Sequence, residues 1–137
     1  MVQALVVDYF GVLDSGDEDV RRWRTVFTAA RAAGISTAIL SADPDGVAAD
    51  KIREWEYRGV VDAVILAGDP TAEQHDAATF QEVADALGCP LSDCVLVDDS
   101  IVNVHAAVQA GMIGVYYQQF DRAIVELSGL LGLEGEF

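Results

Sequence analysis

At 137 residues, the chain has room for one domain with one hydrophobic core, and its 52% hydrophobic content excludes an intrinsically disordered protein. Its 8 Lys and Arg against 23 Asp and Glu give a formal net charge of -15, which repels nucleic acid and anionic membrane surfaces and excludes both as partners. Lys51 is the only lysine, and residues 59–121 contain neither Lys nor Arg. A positive charge in that region therefore has to come from a bound metal ion.

Short apolar runs alternate with longer amphipathic runs along the whole chain. Asp43 and Pro44 predict the start of one helix, as an N-cap followed by proline at the first helical position. In chain order, the predicted elements are strand 4–9, helix 17–33, strand 35–41, helix 44–58, strand 60–67, a turn at 68–70, helix 77–87, strand 94–97, helix 101–110, strand 112–117, helix 121–131 and a loose tail 132–137.

This alternation of strand and helix predicts an α/β fold of Rossmann-like type. Five parallel strands form the middle layer of a three-layer α/β/α sandwich, and residues 1–137 make a single domain. The strands are continuous apolar runs, as expected when helices cover both faces of a sheet. Ligands of such sheets bind beyond the carboxyl ends of the strands, so the candidate site lies at that edge.

The cysteines and the apolar runs indicate a cytoplasmic protein. Cys89 and Cys94 lack the matching Cys or His pair of a zinc site and are expected to be reduced thiols. The first residues lead directly into a strand without the basic and apolar segments of a signal peptide. No apolar run reaches the roughly 18 residues of a membrane span.

Four polar residues stand where predicted strands end: Asp8 after the first, Ser41 after the second, and Asp98 with Asp99 after the fourth. Three carboxylates in one crevice repel each other, and together they suit a hard divalent cation with oxygen ligands, Mg²⁺ first. Such a cation also offsets the negative field that an anionic substrate meets.

Two further positions favour anion binding at the same edge. Gly11 allows a tight turn after Asp8, with backbone N–H groups free to face a ligand. Ser100 opens the fourth predicted helix, and the amides at a helix N-terminus attract anions. Both residues are therefore candidates for substrate binding, together with Ser41.

Three segments resemble the motifs of the haloacid dehalogenase superfamily. Residues 6–13 (VVDYFGVL) resemble its first motif, in which the aspartate is the nucleophile, and residues 39–41 (ILS) resemble its second. Residues 87–104 (LGCPLSDCVLVDDSIVNV) closely resemble the region of its fourth motif, where Asn103 would brace the acidic loop. The resemblance covers almost the whole chain and implies the same fold.

The resemblance also implies a role for each matching residue. Asp8 would attack phosphorus, form an aspartyl-phosphate and contact Mg²⁺. Asp99 would be the direct Mg²⁺ ligand with Asp98 beside it, and the main-chain carbonyl of Phe10 would be another ligand. Ser41 would hydrogen-bond the phosphoryl group.

Two departures from the family pattern bear on catalysis. Phe10 stands where phosphatases carry the aspartate that protonates the leaving group, a contribution of about 10²–10⁴ in rate. Gln74 stands where the third motif has a lysine that neutralises the nucleophile and the phosphoryl group. Whether Lys51 or His75 reaches the crevice instead is open at this stage.

A further difference is that the chain has no evident cap. Only a short turn separates the first motif from the first helix, and one helix and one strand fill the interval from Ser41 to Gln74. In this superfamily an open site of this kind goes with large substrates or partner proteins.

Two functions therefore stand side by side. The first is a Mg²⁺-dependent phosphohydrolase of weak or lost activity that acts on a phosphorylated small molecule or protein. The second is an inactive domain that binds another protein, with self-association as one form of it. A 2-haloacid dehalogenase is disfavoured because Tyr9, rather than residue 10, is the tyrosine, and a receiver domain because its acidic pair would follow the first strand.

Overall fold

The five apolar runs form one parallel sheet in the computed structural model, which describes residues 1–42, 46–69, 71–72, 74–135 and 137. The strand order is β3-β2-β1-β4-β5. The strands are β1 (Ala4–Asp8), β2 (Ser36–Ser41), β3 (Ala63–Leu66), β4 (Cys94–Asp98) and β5 (Ile113–Tyr116). The helices are α1 (Asp17–Ala32), α2 (Val47–Tyr57), α3 (Ala77–Leu87), α4 (Ile101–Ala110) and α5 (Phe120–Leu131).

Alternate residues of each strand pack into two separate hydrophobic clusters, one on each face of the sheet. Leu5 and Val7 of β1 belong to the cluster that also contains the buried side chains of α1, α2 and α5. Ala4 and Val6 belong to the cluster with those of α3 and α4. The predicted three-layer α/β/α fold is therefore confirmed, and both faces of the central strands are buried as their continuous apolar runs require.

The strand order reverses at β1, which pairs with β2 on one side and with β4 on the other. Asp8 ends β1, and the register of Val7 opposite Val97 brings Asp98 of β4 alongside it. Leu40 lies opposite Asp8, so Ser41 follows directly beyond it. The crevice of such a fold opens at this point of reversal, and three of the predicted polar residues border it.

One predicted boundary differs from the structure, and two further predictions lie outside the described residues. Strand β3 begins at Ala63 rather than at residue 60, because the N–H groups of Val60 and Val61 donate to the carbonyl of Trp55 and close the end of α2. Helix α2 begins at Val47, and the predicted start at Asp43 and Pro44 lies outside the described residues, as does Pro70 of the predicted turn.

The end of the chain contacts α1. Leu133 and Phe137 are partly buried against the larger cluster, and Arg22 donates from Nε and Nη2 to the carbonyl oxygen of Phe137 at 3.2 and 2.8 Å. The looseness expected for the tail at residues 132–137 stays a prediction. Among the described residues, no helix has the length and apolarity needed to cross a membrane.

Candidate active site

A crevice of about 110 Å³ opens at the carboxyl ends of β1 and β2, next to β4. It contains the predicted residues Asp8, Phe10 and Ser41. Its described lining consists of Asp8, Phe10, Ser41, Ala42, Asp69, Ala72, Gln74, His75 and Asn103. No Lys or Arg is among these lining residues.

Asp98 is the most enclosed carboxylate of the site, with 1% of its surface exposed. Its Oδ1 accepts from the backbone N–H of Ser100 at 2.9 Å, and its Oδ2 accepts from Nδ2 of Asn103 at 3.1 Å. The Oδ1 of Asn103 in turn accepts from the backbone N–H of His75 at 2.8 Å. Asn103 therefore ties the acidic loop after β4 to the segment that precedes α3.

His75 completes a compact group with the two buried carboxylates. One ring nitrogen of His75 and one carboxylate oxygen each of Asp8 and Asp98 all lie within 4.8 Å of one another. His75 is 8% exposed, and its ring meets the edge of Phe80 at a centroid distance of 5.8 Å. Burial lowers its pKa, against the opposing effect of Asp76, so the imidazole is neutral at pH 7.

A helix cap and a nearby glycine flank His75. The Oδ1 of Asp76 accepts from the N–H of Thr79 at 2.8 Å and caps α3 directly after His75. Gly68 has a φ of 94°, and a Cβ at that position would lie 3.4 Å from Nδ1 of His75. A residue other than glycine there would be strained by the positive φ, and its Cβ would touch the imidazole.

The two carboxylates at the centre of the crevice hold their protons more tightly than usual. Burial raises the pKa of Asp8 from 3.8 to about 9, with Asp98 and Asp99 adding to the effect by charge repulsion. Burial likewise raises the pKa of Asp98 to about 6, although the N–H of Ser100 and the amide of Asn103 oppose the shift. Two such groups side by side favour a bound cation, because a cation stabilises both ionised forms.

Asp99 lies beside that pair and also borders the turn after β1. Its side chain is exposed and lies against the α-carbon of Gly11, where a Cβ would collide with the carboxylate. Gly11 has a φ of 85°, and its N–H donates to Oδ1 of Asp14 at 2.7 Å. The expectation that this N–H is free to face a ligand is therefore wrong, because Asp14 already occupies it.

The two predicted serines differ in what they offer a ligand. Ser41 is buried within the crevice, and its hydroxyl donates to the carbonyl of Ala42 at 3.1 Å. Ser100 is not among the crevice residues: its N–H donates to Asp98, and its Oγ accepts from the N–H of Asn103 at 3.3 Å. Ser100 therefore caps α4 and supports Asp98, whereas Ser41 faces the crevice.

The two residues that depart from the family pattern border the crevice at its exposed side. Phe10 is 45% exposed and packs edge-on against Tyr9 at a centroid distance of 5.1 Å. Gln74 is exposed and also lines the crevice. Neither side chain can transfer a proton or carry a charge at neutral pH, so the structure leaves both functions unfilled at these positions.

Of the two residues that the sequence left open, the structure brings only one into the crevice. Lys51 lies on α2 and lines a separate surface groove with Asp14 and Glu54. His75 lies inside. In the sequence, two features point to His75. It directly follows Gln74, the residue that the motif spacing places at the position of the missing lysine, and a glycine stands at position 68.

Comparisons with known proteins agree with this fold. A family model for haloacid dehalogenase-like hydrolases matches residues 2–111. The crystal structure of an uncharacterized protein from Corynebacterium glutamicum is 56% identical over 100% of both chains, with a TM-score of 0.91.

More distant structures share the fold. A HAD-superfamily hydrolase from Ehrlichia chaffeensis is 13% identical over 96% of this chain and 98% of that one, with a TM-score of 0.66. The 3-deoxy-D-manno-octulosonate 8-phosphate phosphatase from Moraxella catarrhalis, in complex with magnesium, phosphate and KDO, is also 13% identical, over 95% and 85%, with a TM-score of 0.61. No curated protein is significantly similar to the chain. Because the family model covers most of its length, this chain belongs to the haloacid dehalogenase-like hydrolases.

Proposed function

We propose that this protein is a slow phosphohydrolase that depends on a divalent cation, with Asp8 as its nucleophile. The observation that carries the proposal is the pair of carboxylates from Asp8 and Asp98, which meet at the point where strand order reverses and have no Lys or Arg among the described residues lining the crevice. Mg²⁺ is the first cation to test, because carboxylate oxygens are its preferred protein ligands.

The residues around Asp8 fit a cation with oxygen ligands. Asp8 and Asp98 would hold it, and the proposal adds the carbonyl of Phe10 and the nearby carboxylate of Asp99 as further ligands. Bound there, the cation would offset the charge of the carboxylates and of the phosphoryl oxygens. The Moraxella phosphatase is complexed with magnesium, but at 13% identity that likeness concerns the fold, so the proposal rests on the carboxylates themselves.

In the proposed reaction, an Oδ of Asp8 forms a bond to phosphorus while the bond from phosphorus to the leaving oxygen breaks. The hydroxyl of Ser41 would then donate to a phosphoryl oxygen in place of the Ala42 carbonyl that it now contacts. Water would hydrolyse the aspartyl-phosphate, which releases inorganic phosphate and restores Asp8.

At the position of the family's leaving-group acid, Phe10 offers no proton to the leaving oxygen. The proposal therefore names substrates whose leaving group departs without a proton, such as aryl phosphates and acyl phosphates. Alkyl phosphates should react more slowly by about 10²–10⁴. Since only residues 14–16 separate the turn Tyr9–Leu13 from α1, we further propose a crevice that no cap covers and that admits bulky substrates.

The test is turnover of an aryl phosphate and an acyl phosphate with Mg²⁺ by the wild-type chain and by Asp8→Asn. We expect turnover in the wild type and its loss in the variant. Asp50→Asn, which removes an exposed carboxylate on α2, is the matched control and should keep full activity. Turnover that survives in Asp8→Asn, or that is absent from the wild type with every phosphate offered, would contradict the proposal.

We propose as a second candidate function an inactive domain that binds a second copy of itself, and one observation favours the self-association. Helix α4 carries none of the charges of a chain whose net charge is -15, and it exposes Ile101, Val102 and Val108. These side chains border an apolar groove of about 440 Å³. Two copies repel each other least where they carry no charge, so this face is the one that suits self-association.

Light scattering after gel filtration tests that candidate. We expect a dimer for the wild type and a monomer for Val108→Asp on α4. Val125→Asp, on an exposed face of α5, is the matched control and should leave the dimer intact. A wild-type chain that is monomeric at all concentrations would exclude this second function.

A further inference from the structure

His75 is a buried group that the proposed phosphohydrolase mechanism does not use. His75 is more than nine-tenths buried, its ring makes no hydrogen bond with any of the described residues, and its backbone N–H is bonded to Asn103. Its ring nitrogens are not among the fully enclosed polar atoms that lack a partner, and the residue lines the crevice. The imidazole can therefore accept a ligand that enters the crevice.

The residues around the ring indicate where that ligand would bind. A nitrogen of His75 and oxygens of Asp8 and Asp98 lie within 4.8 Å of one another, a spacing that places three donor atoms around one point. Phe80 packs against the ring, and Gly68 lies close to its Nδ1. Three elements far apart in the chain thus bring one nitrogen and two oxygen ligands together.

We propose that Asp8, Asp98 and His75 form a mixed metal site that prefers a first-row transition dication, such as Mn²⁺ or Zn²⁺, over Mg²⁺. Mg²⁺ takes oxygen ligands almost exclusively, so an imidazole in the set does not fit it. Imidazole nitrogen is a good ligand for zinc and iron, and affinity for transition dications at such sites exceeds that for Mg²⁺. The inference shares Asp8 with the proposed function but concerns which cation the site selects, not turnover.

The chemistry of this preference also accounts for the missing lysine. At the position after Gln74, a neutral imidazole supplies a ligand for a cation instead of supplying a positive charge itself. The cation that it recruits carries two charges into a crevice lined with carboxylates. In this proposal, a bound cation takes the place of the fixed positive charge of the family's lysine.

Isothermal titration of the metal-stripped full chain with Mn²⁺ and with Mg²⁺ gives the first test. We expect Mn²⁺ to bind at least about tenfold tighter than Mg²⁺, and His75→Gln to lose about tenfold or more in Mn²⁺ affinity with little change for Mg²⁺. His105→Gln, which alters the other histidine and lies exposed on α4, is the matched control. Equal affinities of the wild type for the two ions would overturn the proposal.

Pulsed electron paramagnetic resonance of bound Mn²⁺ gives a second test that needs no variant. We expect modulation from a coordinated imidazole nitrogen in the wild type, with frequencies that shift when the chain is made with ¹⁵N-labelled histidine. Mn²⁺ bound without nitrogen coupling would overturn the mixed site, even where Mg²⁺-dependent turnover persists. Conversely, nitrogen coupling in a chain without turnover would leave the metal site standing while the phosphohydrolase proposal fails.

Discussion

The two halves of the crevice differ in how well their residues match the family pattern. The half that matches the family pattern comprises Asp8, Ser41 and Asp98, with Asn103 behind them, and the carboxylate of Asp98 is bonded to Ser100 and Asn103. The departing half comprises Phe10, Gln74 and His75, and none of these side chains forms a hydrogen bond with a described residue. Under the proposed function, the matching half holds the carboxylates that would bind a cation, whereas in the departing half the leaving-group acid and the third-motif lysine of the family pattern are replaced.

The largest expected effect is on turnover, when an acidic side chain replaces Phe10 in the departing half. Phe10→Asp should raise turnover of an alkyl phosphate by about 10²-fold or more, because a carboxylic acid can protonate the leaving oxygen. An aryl phosphate, whose leaving group needs no proton, should gain far less and serves as the internal control. Steady-state rates with both substrates measure the difference. An equal gain for the two would show that Phe10 limits access rather than proton transfer.

Breaking the link between the halves should have the next largest effect. Asn103→Leu removes the amide that donates to Asp98 and accepts from the N–H of His75. We expect a loss of about 2–3 kcal/mol in the free energy of unfolding, since a hydrogen bond to a charged group and a second buried partner are lost. Urea titration of the metal-free protein measures it. Gln109→Leu, an exposed amide on the same helix, should change stability by less than about 0.5 kcal/mol.

Removing the carboxylate of Asp8, the proposed nucleophile, should stabilise the metal-free fold. Burial and the neighbouring carboxylates raise the pKa of Asp8 to about 9, above its ordinary value of 3.8, so the folded chain binds this proton more tightly than the unfolded chain does. The stability that Asp8 contributes is therefore full below about pH 4 and is lost as the pH rises toward 9. Asp8→Asn should gain on the order of 1–3 kcal/mol at pH 7, and more at pH 9.

Urea unfolding in a chelator at pH 5, 7 and 9 measures that gain. The control Asp50→Asn should follow the wild type at every pH. If the free energy of unfolding changed with pH by the same amount in the wild type and in Asp8→Asn, the charge of Asp8 would not oppose folding.

The smallest expected effect is at Lys51. Because it lies on α2 beside a separate groove, Lys51→Gln should change turnover by less than about twofold and stability by less than about 0.5 kcal/mol. The same rate and unfolding assays measure both. A large loss of turnover would show that the only lysine reaches the crevice in solution and would add a cation to the departing half.

Much of the matching half follows from local signals in the sequence. A buried apolar run that ends in a carboxylate predicts both the strand and the edge of the sheet at which Asp8 or Asp98 lies. The position of Asn103 five residues after Asp98 predicts its bracing contact, because both stand at the start of one helix. The direction of Asp99 does not follow in this way, since it depends on the space that Gly11 leaves open across the crevice.

The sequence alone determined the parallel sheet, the helices on both faces, and the strand ends that place Asp8, Ser41 and Asp98 together. These features arise from hydrophobic periodicity and chain direction, which are local properties. Only the tertiary structure decided that His75 is buried beside the two carboxylates while Lys51 stays outside. Those outcomes depend on contacts such as that between His75 and Asn103, 28 residues apart, which form only when separate elements pack against each other.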